Sequence, residues 1–261
     1  MDVLVIAVSA LVASGLTLFS GFGLGTILTP VFALFFPVAT AVAMTAVVHL
    51  ANNLFKIGLV GRDASGPVVI RFGLPAALAA VLGAGALATV SGLAPWHVFE
   101  WLGRTHAITP VKAVIGVVIA AFALLELSPA FARLAFSPRW LAVGGLVSGF
   151  FGGLSGNQGA LRSAFLVKAG LSKEAYVGTS AVCAVVVDVT RLLVYGLAWQ
   201  ASGAQALDSH ARFTVAVATL SAFAGAYAGK RLLKKVTLRW VERTVAVLMV
   251  LVGVGLASGL L

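Results

Sequence analysis

Residues 148–163 read SGFFGGLSGNQGALRS: five glycines, an Asn157-Gln158 pair and Arg162, with apolar runs on both sides. A shorter stretch, residues 20–30, reads SGFGLGTILTP and repeats the opening Ser-Gly-Phe and the spaced glycines. A helix that ends inside a bilayer leaves N–H and C=O groups that protein, water or ligand must satisfy. Its N-terminus carries free donors and the positive end of the helix dipole, which suits an anion. Gly23, Gly25 and Thr26 in the first stretch, and Asn157, Gln158 and Gly159 in the second, are therefore candidate substrate-binding residues. Arg162 follows Gln158 by four residues and shares its helical face. Its planar fork of five donors fits an oxoanion. The same glycines could serve helix packing alone, and Arg162 could snorkel to an interface or pair with Asp188. The polar run from Ser155 to Arg162 favours a site, because ionisable groups at membrane depth are rare.

Two further stripes carry chemistry. His49, Asn52, Asn53 and Lys56 stand at i, i+3, i+4 and i+7, one polar face on an otherwise apolar helix. Asn52, Asn53 and Lys56 are expected to line a substrate path. His49 is a proton-coupling candidate because its unperturbed pKa is near 6.5; interhelical hydrogen bonding is the competing role. Asp188 and Arg191, three residues apart, can pair on one face. Asp188 is a second proton-coupling candidate and Arg191 a further pathway residue, with a structural ion pair as the equal alternative.

The elements that hold these residues are membrane helices. The chain of 261 residues is 61% hydrophobic and 10% charged, with mean hydropathy +1.08. A soluble domain carries about 25% charged residues, so this chain reads as an all-α polytopic membrane protein. The start, MDVLVIAVSALVASG, lacks a positive n-region and is expected to stay as a span rather than be cleaved. The net charge of +10 gathers at the ends of apolar runs, as membrane orientation requires, and no basic stripe interleaved with aromatics points to nucleic acid. Cys183 is the one cysteine; it permits no disulfide and reads as a packing residue. The four histidines, at 49, 97, 106 and 210, lack metal-site spacing. No P-loop occurs, and GLSGN only superficially resembles a nucleophile elbow. Neither a cofactor nor an enzymatic activity is expected.

Hydropathy divides the chain into ten segments: 3–20, 24–36, 38–60, 68–90, 108–127, 140–152, 157–169, 173–199, 211–229 and 241–261. Residues 91–106 read as an amphipathic loop whose Trp96 and Trp101 suit a membrane interface. Residues 1–127 and 138–261 present the same order: glycine break, short helix, turn, longer polar-striped helix, with 128–137 as the linker. Asn53-x-x-Lys56 aligns with Asp188-x-x-Arg191. This is what a duplication would leave. An odd number of segments per half inverts the second half, giving two inverted-topology repeats of about five segments, each with a broken or re-entrant helix. With both termini outside, Arg62, Arg133, Arg139, Lys168, Lys173 and the 230–243 cluster fall inside, in accord with the positive-inside rule.

Residues 19–46, FSGFGLGTILTPVFALFFPVATAVAMTA, and 146–182, LVSGFFGGLSGNQGALRSAFLVKAGLSKEAYVGTSAV, resemble the TauE/SafE family of sulfite exporters. In that family each half has a Gly-rich segment, a proline, an apolar helix and a Thr-Ser-like helix start; Pro30 and Gly178-Thr179-Ser180 fit this order. One departure stands out. The family's second Gly-rich segment usually runs to a proline, whereas this chain reads GNQGALRS. The resemblance implies a secondary transporter of a small sulfur-containing anion, sulfite or an organosulfonate, most naturally an exporter in a bacterial inner membrane. From the residues, charge is expected from the second half and mainly backbone donors from the first. Membrane lipid is the other expected partner, and the sequence leaves homo-oligomerisation open. A different class, a non-transporting scaffold that binds a partner or anionic lipid through the basic 230–243 connection, is the alternative.

Overall fold

The computed structural model describes residues 1–16, 23–202, 207–232 and 239–261, with the side chains of 59–60, 132, 230–232 and 239–242 set aside. Residues 17–22, which include Ser20 and Gly21 of the first glycine break, part of the polar loop at 201–209 and most of the basic 230–243 connection lie outside that description.

Eleven α-helices make up nearly all of the described structure. They are α1 (Asp2–Leu16), α2 (Leu24–Ala33), α3 (Val38–Val60), α4 (Gly66–Ser91), α5 (Pro110–Leu127), α6 (Pro129–Ala132), α7 (Leu141–Ser155), α8 (Gly159–Leu166), α9 (Lys173–Ser202), α10 (Ser209–Leu232) and α11 (Arg239–Ala257). Five contain stretches long and apolar enough to cross a bilayer: Val38–Gly58, Gly66–Ser91, Pro110–Leu127, Lys173–Ser202 and Ser209–Gly229. At 1.5 Å per residue the ten residues of α2 reach about 15 Å and the eight of α8 about 12 Å. Neither spans the roughly 30 Å of a hydrocarbon core.

The ten expected segments are present, with shifted ends. The second expected helix stops at Ala33 rather than 36, and the seventh begins at Gly159 rather than 157. Asn157 and Gln158 therefore stand in the turn before the helix, with Gln158 as its N-cap. The expected loop at 91–106 is instead an antiparallel hairpin, β1 (His97–Trp101) and β2 (Arg104–Ile108), with His97 opposite Ile108 and Trp101 opposite Arg104. Leu102 and Gly103 form its tight turn, both at positive φ (51° and 70°). The alternation of His97, Phe99 and Trp101 puts their rings on one face, where Phe99 and Trp101 meet His106. That period of two, with a glycine at the turn, is a hairpin signal, overshadowed in the sequence by the surrounding helical runs. Trp96 and Trp101 are exposed, as an interfacial position demands.

The distribution of polarity fits lipid as solvent. Leu74, Leu78 and Leu82 on α4, Leu193 and Leu197 on α9, and Leu248 and Leu251 on α11 face outward, whereas His49, Asn52, Asn53, Asp188 and Arg191 are buried. Five helix pairs dominate the packing: α4 with α7, α1 with α10, α5 with α11, α4 with α9 and α3 with α9. Without a hydrophobic drive between helices in lipid, close backbone approach holds such pairs. On α7, Gly145, Gly149 and Gly153 lie against Phe72, Ala76 and Ala80 of α4. A Cβ at Gly149 would sit 2.6 Å from the Ala76 Cα. Gly149→Leu is therefore expected to pry α4 from α7 and to destabilise the protein by about 1–3 kcal/mol or more, read as a lowered unfolding midpoint in detergent.

Candidate functional site

Two broken helices meet at one point. Helix α7 ends at Gly156, whose φ of 84° is a left-handed cap that suits glycine. Its N–H donates to the Gly152 carbonyl at 3.0 Å. The turn is pinned by Ser148 Oγ donating to the Gln158 carbonyl at 3.1 Å and by the Asn157 N–H donating to Ser155 Oγ at 3.4 Å. The start of α2 reaches this turn from the other half of the chain. A Cβ at Gly25 would lie 2.8 Å from the Gly156 carbonyl oxygen, and one at Gly23 would lie 3.6 Å from the Gly159 nitrogen. Thr29 Oγ1 donates to the Ser155 carbonyl at 3.3 Å. The N-termini of α2 and α8, each with N–H groups that no helical carbonyl accepts, thus converge.

Helices α3 and α9 form the wall beside them. Asp188 is the hub: its Oδ2 lies 2.6 Å from His49 Nδ1, and its Oδ1 accepts from Arg191 Nη2 at 2.7 Å and Nε at 3.0 Å. Gln158 Nε2 donates to the same Oδ1 at 3.4 Å, while its Oε1 accepts from Arg162 Nη1 at 3.0 Å. Arg162 Nε donates to Ser180 Oγ at 2.8 Å. A continuous chain therefore runs Ser180–Arg162–Gln158–Asp188–His49. Asn53 closes it, donating to the His49 carbonyl at 2.9 Å. Arg191 Nη1 also donates to the Gly152 carbonyl at 3.3 Å, and Tyr195 donates its hydroxyl proton to the Gly153 carbonyl. Both cap the free C=O end of α7, where a cation also answers the helix dipole.

Four buried side chains near this convergence keep polar atoms without a hydrogen-bond partner: Thr26 Oγ1, Thr45 Oγ1, Asn52 Nδ2, and both Oδ1 and Nδ2 of Asn157. All four residues are at most 1% exposed. Asn52 Oδ1 is taken by Ser14 Oγ of α1 at 3.0 Å, which leaves its amide free to donate. Buried polar groups in folded proteins are nearly always paired, and an unpaired one costs about 1–3 kcal/mol. A cluster of them is the signature of a site that something else completes.

Each sequence candidate can now be placed. Gly23, Gly25, Thr26, Asn157, Gln158 and Gly159 come together at the junction of the two turns. Asn52 lies two turns along α3 from Thr45, whose methyl would be 3.8 Å from a Cβ on Gly25. Arg162 is buried and turned toward Gln158 rather than snorkelling, and it meets Asp188 through Gln158 rather than directly. His49 and Asp188 are bonded to each other, Asn53 is spent on His49, and Arg191 is spent on Asp188 and α7. Lys56 lies on the same α3 face, half-buried, within electrostatic reach of Arg162. Thr45 and Ser14 were not anticipated. Thr45 continues the α3 stripe four residues before His49, a signal the sequence contains; Ser14 has none beyond a small polar residue in an apolar helix. Cys183 is buried in the core beside α4. Among the described residues no cluster of three metal-ligating side chains occurs.

Apolar side chains facing out and a polar, partly unsatisfied interior define a multi-pass α-helical membrane protein. The family described as sulfite exporter TauE/SafE matches residues 6–256, nearly the whole chain, and the chain belongs to that family. It is a family of membrane sulfite and anion exporters. No curated protein matches the chain.

Proposed function

We propose that this protein exports a small sulfur oxoanion or sulfonate across a bacterial inner membrane by alternating access, with both termini outside. The observation that carries this reading is the meeting of two helix N-termini beside the buried, unpaired polar atoms of Thr26, Thr45 and Asn157, with Asn52 two turns along α3. Helix dipoles and N–H groups favour negative charge there, and Thr26, Thr45, Asn52 and Asn157 supply uncommitted hydrogen-bonding atoms for its oxygens. Arg162 and Lys56 supply positive charge on one side of the junction. A cavity of about 270 Å³, lined among others by Ala39, Ser91, Tyr195, Trp199 and Ser202, lies at the opposite ends of α3 and α9. The two short helices act as re-entrant gates rather than spans.

The helix pairing supports a division into repeats 1–127 and 138–261. Exchanging the halves turns the α4–α7 pair into α10–α1, and returns α3–α9 and α5–α11 to themselves. Rocking one repeat against the other would open the junction alternately to each face. In a thermal-shift screen of the purified protein against sulfite, sulfate, thiosulfate, sulfoacetate and taurine, at least one anion raises the unfolding temperature, because binding to the folded state alone stabilises it. Asn157→Ala weakens that ligand by about tenfold or more, the worth of hydrogen bonds to a charged group. An unshifted midpoint with all five would refute the reading.

A further inference from the structure

The distribution of charge within the bundle bears on what is carried and what drives it. Helices α3 and α9 run antiparallel: His49 meets Asp188, and the Ser65 N–H beyond the end of α3 donates to Thr179 Oγ1 at 2.9 Å. This register brings Lys56 to the Ser180 end of α9, where Arg162 is held. The two cations repel one another. Among the described residues the buried ion pairs join Asp188 to Arg191 and to His49, and neither Lys56 nor Arg162 has a carboxylate within ion-pair distance. Asp188 reaches Arg162 through Gln158 and is already paired with Arg191 and His49. The Asp188–Arg191 pair sums to zero. Arg162, buried, and Lys56, half-buried, are therefore two like charges without an ion-pair partner, an arrangement that a bound anion would relieve.

We infer that the transported species is a dianion, and that its two charges, rather than a bound proton, couple export to the membrane potential. The inference rests on the transport reading above and adds the charge and the energy source. A dianion between Lys56 and Arg162 brings the interior to neutrality, whereas a monoanion leaves one cation unpaired. Asp188 is poorly placed to exchange a proton: protonating it strands Arg191 and adds a third uncompensated charge. No proton is needed for export. One elementary charge crossing about 100 mV carries roughly 2.3 kcal/mol, so an interior-negative potential of that size distributes a monoanion about 50-fold and a dianion about 2,000-fold in favour of the outside.

The test uses proteoliposomes of the full chain with an imposed potassium diffusion potential. Sulfite at mildly alkaline pH serves as the dianion probe and methanesulfonate as the monoanion probe. At a roughly tenfold potassium gradient, uncoupled dianion movement brings sulfite to about a hundredfold gradient at equilibrium. Methanesulfonate binds at least about tenfold more weakly, because it leaves one of the two cations without a partner. Lys56→Gln removes most of that preference, and Arg162→Lys, which keeps the charge, retains it. A sulfite gradient of only tenfold, insensitivity to the potential, or movement driven by an imposed pH gradient overturns the inference while leaving anion transport intact. If neither probe moves in either direction, the transport reading falls and takes the inference with it.

Discussion

Asp188→Ala is expected to cost the protein about 3–5 kcal/mol of stability, enough to lose most folded material during purification. Arg191 is fully buried and donates two hydrogen bonds to Asp188; without the carboxylate its guanidinium stays in the bundle beside the Gly152 carbonyl with no counter-charge. His49 and Gln158 lose their partner in the same step. The penalty comes from the charge left behind, so removing both members should be milder than removing one. Asp188→Leu combined with Arg191→Leu is expected to unfold at a higher temperature than either single substitution, since well-packed apolar residues often replace a buried pair at little cost. Thermal unfolding of the three variants in one detergent decides it. Single variants as stable as the parent would mean that the hub does not hold α3, α7 and α9 together.

Arg162→Ala should divide its effects differently: flux falls by about a hundredfold, while stability falls by less than in Asp188→Ala. Arg162 donates to a carboxamide and a hydroxyl and has no carboxylate partner. Its removal breaks two bonds but also relieves the repulsion with Lys56. On the transport side, a guanidinium gives an oxoanion short, charge-assisted hydrogen bonds about twice as strong as neutral ones, each worth about 1.5–3 kcal/mol. The two variants are expected to separate the buried arginines, Arg191 as the brace of the broken helix and Arg162, on the proposed reading, as the group that meets substrate. Unfolding midpoint and anion flux measured on the same preparation give the comparison. An Arg162→Ala protein that unfolds easily yet still moves anion would reverse the assignment.

How much of this was legible in the residues differs from element to element. The all-helical membrane class followed from composition, and the glycine runs at 23–25 and 152–159 marked the start of α2 and the turn between α7 and α8. The α3 stripe predicted a buried polar face, and His49, Asn52 and Asn53 are buried. The partners of that stripe were not legible. His49 and Asp188 lie 139 residues apart, and no periodicity within one helix reports which helix faces it. The same holds for Arg191, whose bonds to the end of α7 come from helix packing. Thr45 escaped notice because a threonine is unremarkable on an apolar helix until its hydroxyl is found buried without a partner. The hairpin at 97–108 was read as a loop because five residues per strand give too short an alternation to stand out beside helices of 18 and 26 residues.

The central claim is that an anion passes through the junction of the two broken helices. Efflux of radiolabelled sulfite from liposomes containing the purified protein tests it most directly, with protein-free liposomes and an Asn157→Ala, Arg162→Ala double variant run in parallel. The account predicts efflux that needs the protein, saturates with sulfite and drops to the protein-free rate in the variant. Efflux by the variant equal to that of the parent would contradict it.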